Sequence, residues 1–343
     1  MKRSFSILKT IFLTLGTIVG AGFMSGKEPI SYFGGESPLI SSLIVGAFFF
    51  IILMVVFFDK GKLNLPTIPV ILALLTVCAS LLASIDALSV VLGFDKRFPL
   101  FSMLTLIFCP LICGGEIKRL EQVNLILSPL LIIFVVIAFI FTPQNSLNNS
   151  VSLLTPIKAI PFVLTNLFLA LPVLKKSAKN IDKKQKIITA ILVSLMLSFI
   201  LFVVLSLCGK NGAENYDLPI IHFINGKLYV LTLISLSVAT ITSVFALYYP
   251  LHHYFNSGFG KSGSIILILF LAIFSRLGVS KIIEWGYPLI SIFGAVYLVK
   301  AIIQIIRYKK GERENNKYTL KNMEENYVQK KEKQSNTLNR RAV

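Results

Sequence analysis

The stretch GTIVGAGFMSG, residues 16 to 26, carries Gly16, Gly20, Gly22 and Gly26 inside an otherwise apolar run. Each glycine in a helix interior costs about 1 kcal/mol relative to alanine, so the run is built to unwind rather than to anchor. Unwinding is expected over Gly20 to Phe23. Bare N–H and C=O groups at membrane depth survive only where protein buries them or a cavity hydrates them, and there they can hold a polar ligand. Gly20, Ala21, Gly22 and Phe23 are therefore candidate substrate contacts. A second polar interruption, Thr165-Asn166 with Phe168 and Pro172 beyond it, lies in IPFVLTNLFLALPVL, residues 160 to 174. Unwinding is expected there over Thr165 to Phe168. Half-helix N-termini at two such breaks would offer positive dipole ends to a carboxylate.

Asp86, in SLLASIDALSVV, is the one carboxylate well inside a long apolar run. Charges in such runs are expensive and usually face a cavity, where Asp86 would receive a substrate amine or carry a coupling proton. It equally lies within about two turns of the segment's outer end, from which it can reach headgroup water. Lys27, Glu28 and Glu284 fall near the outer ends of the first and last segments and could form an outer gate, although interfacial charges are common. His252, His253 and Trp285 read as interfacial residues. Nothing in the sequence forms a nucleophile–base constellation, a P-loop or a metal cluster. The chain is therefore not read as an enzyme, and no resident cofactor is expected.

The elements that must position these residues are membrane helices. The chain has 343 residues, 55% of them hydrophobic, with a mean hydropathy of +0.78, outside the range of soluble domains. Its net charge of +18 does not imply nucleic acid, because the Lys and Arg fall between apolar segments and in the tail, as the positive-inside rule expects. Cys78, Cys109, Cys113 and Cys208 all sit in apolar runs without a second ligand type, and read as small buried residues. The basic start and apolar run that follows resemble a signal peptide, but no A-x-A-like site is present and many spans follow.

Segments of spanning length occur at about 5 to 33, 37 to 58, 66 to 92, 99 to 115, 123 to 142, 157 to 174, 186 to 208, 228 to 253, 264 to 279 and 282 to 306. Ten spans put both termini on one side. Basic connectors (59 to 62, 116 to 122, 175 to 186 and the tail) make that side cytoplasmic, in the cell membrane. The polar, charged tail from residue 307 to 343 cannot bury enough surface to fold alone and is expected to be disordered. Asn148-Asn149-Ser150 matches a glycosylation acceptor too short to carry weight.

The interrupted segments 1 and 6 stand five apart, as do the two shortest spans, 4 and 9. Matched interruptions in two halves point to an inverted-repeat transporter with its site where the breaks meet. The expected fold is all-α, ten helices as five plus five, with residues 5 to 142 and 157 to 306 as the repeats of a 1 to 306 transporter domain, and helices 1 and 6 discontinuous. The glycines admit a second reading: Gly16, Gly20 and Gly22 also make a small-residue face for close helix packing.

The sequence GTIVGAGFMSGKE, residues 16 to 28, resembles the first-helix signature of the YkvI-like membrane proteins. That group belongs to the amino acid, polyamine and organocation transporter superfamily, which has the LeuT-type fold. LTNLFLALPVL, residues 164 to 174, is similar to its sixth helix, and the likeness runs over residues 5 to 306. It implies secondary transport by alternating access and supplies no substrate. In sodium-coupled members of this fold an ion sits between first-helix carbonyls and an Ala-x-x-Thr-Ser pattern on the eighth helix. Here the resemblance picks out Gly16 and Val19 on the first and Ala239, Thr242 and Ser243 on the eighth. Hard cations prefer oxygen ligands, yet Ser and Thr in membrane helices also satisfy themselves on the i−4 carbonyl. Phe23 stands where a second sodium would need an amide. The function expected is transport of a small organic solute, an amino acid or a related amine, with sodium or a proton as coupling ion. A transporter-fold receptor that senses its ligand without moving it is the alternative.

Overall fold

The computed structural model describes residues 2–59, 67–94, 99–114, 117–141, 152–208, 213–216, 218–223, 227–277 and 286–308. Glu284, Trp285, the 148 to 150 acceptor and the 309 to 343 tail lie outside them.

The described chain is all helical. The first segment comprises α1 (Lys2–Ile18), α2 (Ala21–Met24) and α3 (Lys27–Phe33). There follow α4 (Pro38–Phe58), α5 (Thr67–Val91), α6 (Leu100–Cys113), α7 (Ile117–Phe141), α8 (Thr155–Ser177) and α9 (Lys183–Cys208). A short α10 (Pro219–Phe223) precedes α11 (Lys227–Phe259), α12 (Gly263–Phe274) and α13 (Gly286–Tyr308). Seven helices, among the described residues, are long and apolar enough to cross a membrane, with α11 and α12 running as one such stretch. Ser6–Ile18 and Leu100–Cys113 are apolar but shorter. The chain is thus a multi-pass membrane protein.

Hydropathy sets the spans, and small or polar residues set how they pack. α4 lies along α9 and α8, and α1 joins this group through α8 and α9. α11 lies along α7 and α5, with α12 and α6 packed beside them. Because α1 also runs along α7, the first segment passes between the two groups. Of the spanning helices α8 is the most enclosed and α13 the least; α8 therefore lines the middle of the molecule, while α13 turns Leu289, Ile292, Ile303 and Ile306 outward.

Polar clamps fix α8 to α4 at both ends. At one end Glu36 accepts from Lys158 Nζ at 2.6 Å and from Thr155 Oγ1 at 2.6 Å. At the other, Asp59, its side chain fully buried, pairs with Lys175 at 2.7 Å and accepts from the Tyr297 hydroxyl at 3.2 Å. Removing one partner of a buried pair costs up to about 3–5 kcal/mol, which bears on the buried Asp59; the Lys158–Glu36 pair, with Lys158 partly exposed, contributes less, and together they hold the two helices as a unit.

Two expectations about backbone are corrected here. α8 runs unbroken from Thr155 to Ser177, so the interruption expected at Thr165 to Phe168 is absent. The polar residues that suggested it find partners without unwinding: Asn166 Nδ2 donates to the Phe162 carbonyl at 3.0 Å, and Thr165 Oγ1 to the Tyr287 carbonyl at 3.3 Å. In the first segment the irregular residues are Val19–Gly20 and Ser25–Gly26, with Ala21–Met24 forming a helical turn between them; the expected unwinding through Phe23 is thus split in two. Neither place then offers the dipole end of a half-helix, since α8 has no internal N-terminus and α2 has four residues.

Candidate functional site

The break after Ile18 has a definite hydrogen-bond logic. A regular helix would carry the Gly20 N–H to the Gly16 carbonyl, but it bonds the Ile18 carbonyl at 3.0 Å. The Gly16 carbonyl is left to a neighbour, and Ser243 Oγ on α11 donates to it at 2.9 Å. Gly16 itself has a packing reason to be glycine: a Cβ there would stand 1.8 Å from Asn124 Oδ1 and 2.9 Å from Ser128 Oγ. Of the two readings of the glycine run, close helix approach explains Gly16.

Gly26 restarts the helix. Its φ of 84° lies in the left-handed region that favours glycine, and it turns the chain so that α3 folds back beside the break. Ser25 holds the turn, its Oγ accepting from the Lys27 N–H at 3.3 Å and donating to the Gly22 carbonyl at 3.3 Å. The Ile220 N–H of α10 caps it from above through the Ser25 carbonyl at 2.8 Å.

The result is that Glu28, one residue into α3, is drawn inside. It is 1% exposed, and Oε1 accepts from Asn166 Nδ2 at 2.6 Å. Its sequence position suggested an outer gate, but a continuous helix at 1.5 Å per residue would have carried it roughly 12 Å beyond Gly20, whereas the two interruptions bring it back to the same cavity.

That cavity is lined by Thr17, Ile18, Gly20, Gly22, Phe23 and Glu28 of the first segment, Val77 and Leu81 of α5, Asn166 and Leu169 of α8, Ser243 and Leu247 of α11, and Tyr287 of α13. Its volume is about 20 Å³. A single water needs roughly 10–15 Å³, so the cavity has room for a water or two and not for an amino acid. One flank is an aromatic cluster in which Phe162 meets Phe23, Tyr32 and Phe33 at 5.4 to 5.5 Å between centroids. Such pairs contribute about 0.5–1.5 kcal/mol each beyond their buried area and close that side to water.

Of the residues singled out from sequence, Gly20, Gly22, Phe23, Asn166, Glu28 and Ser243 come together at this cavity. Thr165 and Phe168 do not line it; Phe168 stacks on Phe293 at 6.4 Å. Ala21 is placed only by its backbone in α2. Asp86 also stands apart: it is half-buried on α5, Oδ2 accepts from Ser102 Oγ of α6 at 2.9 Å, and Oδ1 has no hydrogen-bond partner among the described residues. The ion-site candidates divide. Ser243 and Gly16 touch each other, Thr242 Oγ1 turns back to the Ala239 carbonyl at 2.9 Å, and the Val19 N–H bonds the Leu15 carbonyl at 2.8 Å. Lys27 is half-buried at the start of α3, and Glu284 is outside the described residues.

Sequence reasoning missed Tyr287 and the inward place of Glu28. Tyr287 hydroxyl lies 3.2 Å, and Glu28 Oε2 3.4 Å, from where a Cβ on Gly22 would stand, so both face the space that glycine leaves open. A lone tyrosine near the start of an apolar segment carries no periodic signal; only the Lys27-Glu28 pair that follows the last glycine points to Glu28.

No family model matches the chain, and no curated protein matches it. Among solved structures it is similar to the crystal structure of MhsT in complex with L-phenylalanine, with a TM-score of 0.58 and 15% sequence identity over 87% of each chain. At that identity the likeness shows the fold, which is of the LeuT type.

Proposed function

We propose that this chain is a secondary transporter that carries a small organic solute, an amino acid or a related amine, across the cell membrane by alternating access. The observation that carries this reading is the cavity at the broken first segment. It gathers backbone and side chains from both packing groups around one buried carboxylate, and its water-sized volume fits a closed state between two open ones. A site shared by two groups couples its occupancy to their relative position, since a ligand shifts a conformational equilibrium through differential affinity. The L-phenylalanine bound by MhsT supports amino acids as the first solutes to try.

Finer points belong to the same proposal. The described helices are read as parts of ten spans, five plus five in opposite orientation, with both termini cytoplasmic. The motifs at residues 16 to 28 and 164 to 174 favour the YkvI-like group. Sodium coupling is a second reading, and the Ser243 contact with Gly16 favours it: an ion held there by the Gly16, Val19 and Ala239 carbonyls and the Thr242 and Ser243 hydroxyls would replace a hydrogen bond that already joins α11 to the break.

The test is uptake of a solute panel by purified protein in proteoliposomes, under imposed sodium and proton gradients in turn. Concentrative uptake of at least one amino acid or amine is the expected result. Saturable binding with no flux would identify a receptor instead.

A further inference from the structure

Among the described residues buried Glu28 has one side-chain hydrogen-bond partner, Asn166, on Oε1. Its other oxygen, Oε2, faces the space before Gly22 together with the Tyr287 hydroxyl. The titratable groups that face it are Tyr287 from α13 and Tyr32 from its own helix, with Cys208 of α9 against the neighbouring Gly26. The other helices around the cavity contribute Asn166, Val77, Leu81, Ser243 and Leu247, none of them charged. Among the described residues no Lys, Arg or His forms an ion pair with Glu28.

Such a carboxylate is unstable bare. Moving an ionised group from water to an apolar site costs many kcal/mol unless a cation or a proton compensates it, and the amide of Asn166 brings hydrogen bonding without charge. The space in front of Gly22 has an acceptor on each flank, Oε2 and the tyrosine oxygen, and no side chain to fill it. That is the shape and polarity of a seat for an ammonium group.

We propose that Glu28 holds one positive charge at a time: a proton when the cavity contains water alone, and the ammonium group of the solute when it is filled. This rests on the transporter reading and adds the chemical group recognised and the coupling. On binding, the ammonium N–H groups donate to Oε2 and to the Tyr287 oxygen. The carboxyl O–H bond breaks, and its proton passes to cavity water and then to whichever solution the cavity faces. No electrons are transferred. Because one carboxylate cannot hold both cations, an amine carried one way is matched by a proton carried the other.

The experiment uses full-length protein in weakly buffered detergent and two sets of probes: L-alanine, ethylamine and propionate, then L-phenylalanine, phenethylamine and 3-phenylpropionate. Binding and proton release are followed together. The expected result is release of a proton for each amino acid or amine bound, and none with the acids that lack nitrogen. Glu28→Gln should release none and bind amines about tenfold or more weakly, as loss of a charged hydrogen bond requires; Glu28→Asp should restore the release. The wild-type measurement needs no variant to fold. Amine binding without proton release, equal binding of the acids, or unchanged binding by Glu28→Gln overturns the seat. If none of the six binds while another solute is taken up by proteoliposomes, the seat falls and the transporter reading stands; if nothing binds and nothing is moved, both fall.

Discussion

The first segment and α8 carry similar signs of interruption, glycines in one and a Thr-Asn pair with Pro161 and Pro172 in the other, yet only the first is broken. The difference lies in what surrounds them. At Val19–Gly20 a neighbouring hydroxyl, Ser243, takes over the carbonyl that the helix abandons, and absent side chains let α7 and the cavity residues approach. In α8 the polar residues bond within the helix, to the adjoining Tyr287 carbonyl or to Glu28, and both ends are clamped to α4. A proline removes one N–H but does not supply a partner for an opened chain. Helix-breaking residues therefore mark a break only where other elements stand ready to satisfy it.

The comparison would be broken most forcefully at the clamps. Lys175→Met removes the Lys175 ion pair from the buried Asp59, and a loss of up to about 3–5 kcal/mol is expected, read as a lower unfolding temperature in detergent and faster amide exchange at the 165 to 177 end of α8. Unchanged exchange there would mean that α8 is whole for reasons internal to it.

Gly16→Ala comes next. Its Cβ would collide with Asn124 Oδ1, and overpacking of this kind costs about 1–3 kcal/mol. Adding Asn124→Ala should recover most of that stability. Failure of the second substitution to rescue would move Gly16 from packing to ligand contact.

Ser243→Ala removes the hydroxyl that stands in for the lost helical bond, at about 0.6–1.7 kcal/mol for a hydrogen bond between membrane helices. If sodium coupling is right, Thr242→Ala with Ser243→Ala should also raise the sodium concentration for half-maximal uptake severalfold, with substrate affinity at saturating sodium little changed. Uptake that ignores sodium and survives both changes would leave the hydroxyls as packing groups.

The smallest effect is expected at Asp86. Its carboxylate bonds Ser102 of α6 and does not line the cavity, so Asp86→Asn should alter uptake far less than Glu28→Gln. Equal losses at the two positions would show that the carboxylate in α5 communicates with the cavity.

These contrasts show what could be read from residues alone. Spans follow from apolar length, and most of their ends agree with the helices to within a few residues; the larger misses are at α7, which begins at Ile117 rather than 123, and at α11, which runs on to Phe259 rather than 253. The break follows from four glycines, whereas Ser243 is picked out only by the resemblance that brings in the Ala-x-x-Thr-Ser pattern. Asp86 drew weight because a carboxylate within an apolar run is rare, but nothing in its own segment discloses Ser102 on the next helix. Glu28 reads from sequence as an outer-end residue because counting along a regular helix cannot see a turn such as Gly26, whose φ of 84° redirects α3. Tyr287 was invisible because its relation to Gly22 crosses more than 260 positions of sequence and exists only in the packed fold.

The most direct test of the account sets wild-type protein beside Gly22→Leu in a proteoliposome counterflow assay with the solute that the panel identifies. The account predicts rapid exchange by the wild type and none by the variant, although both insert in the membrane in equal amount, because a leucine at Gly22 fills the space faced by Glu28 and Tyr287. Wild-type exchange by Gly22→Leu would contradict it, and would remove the cavity at the broken segment from the path of the solute.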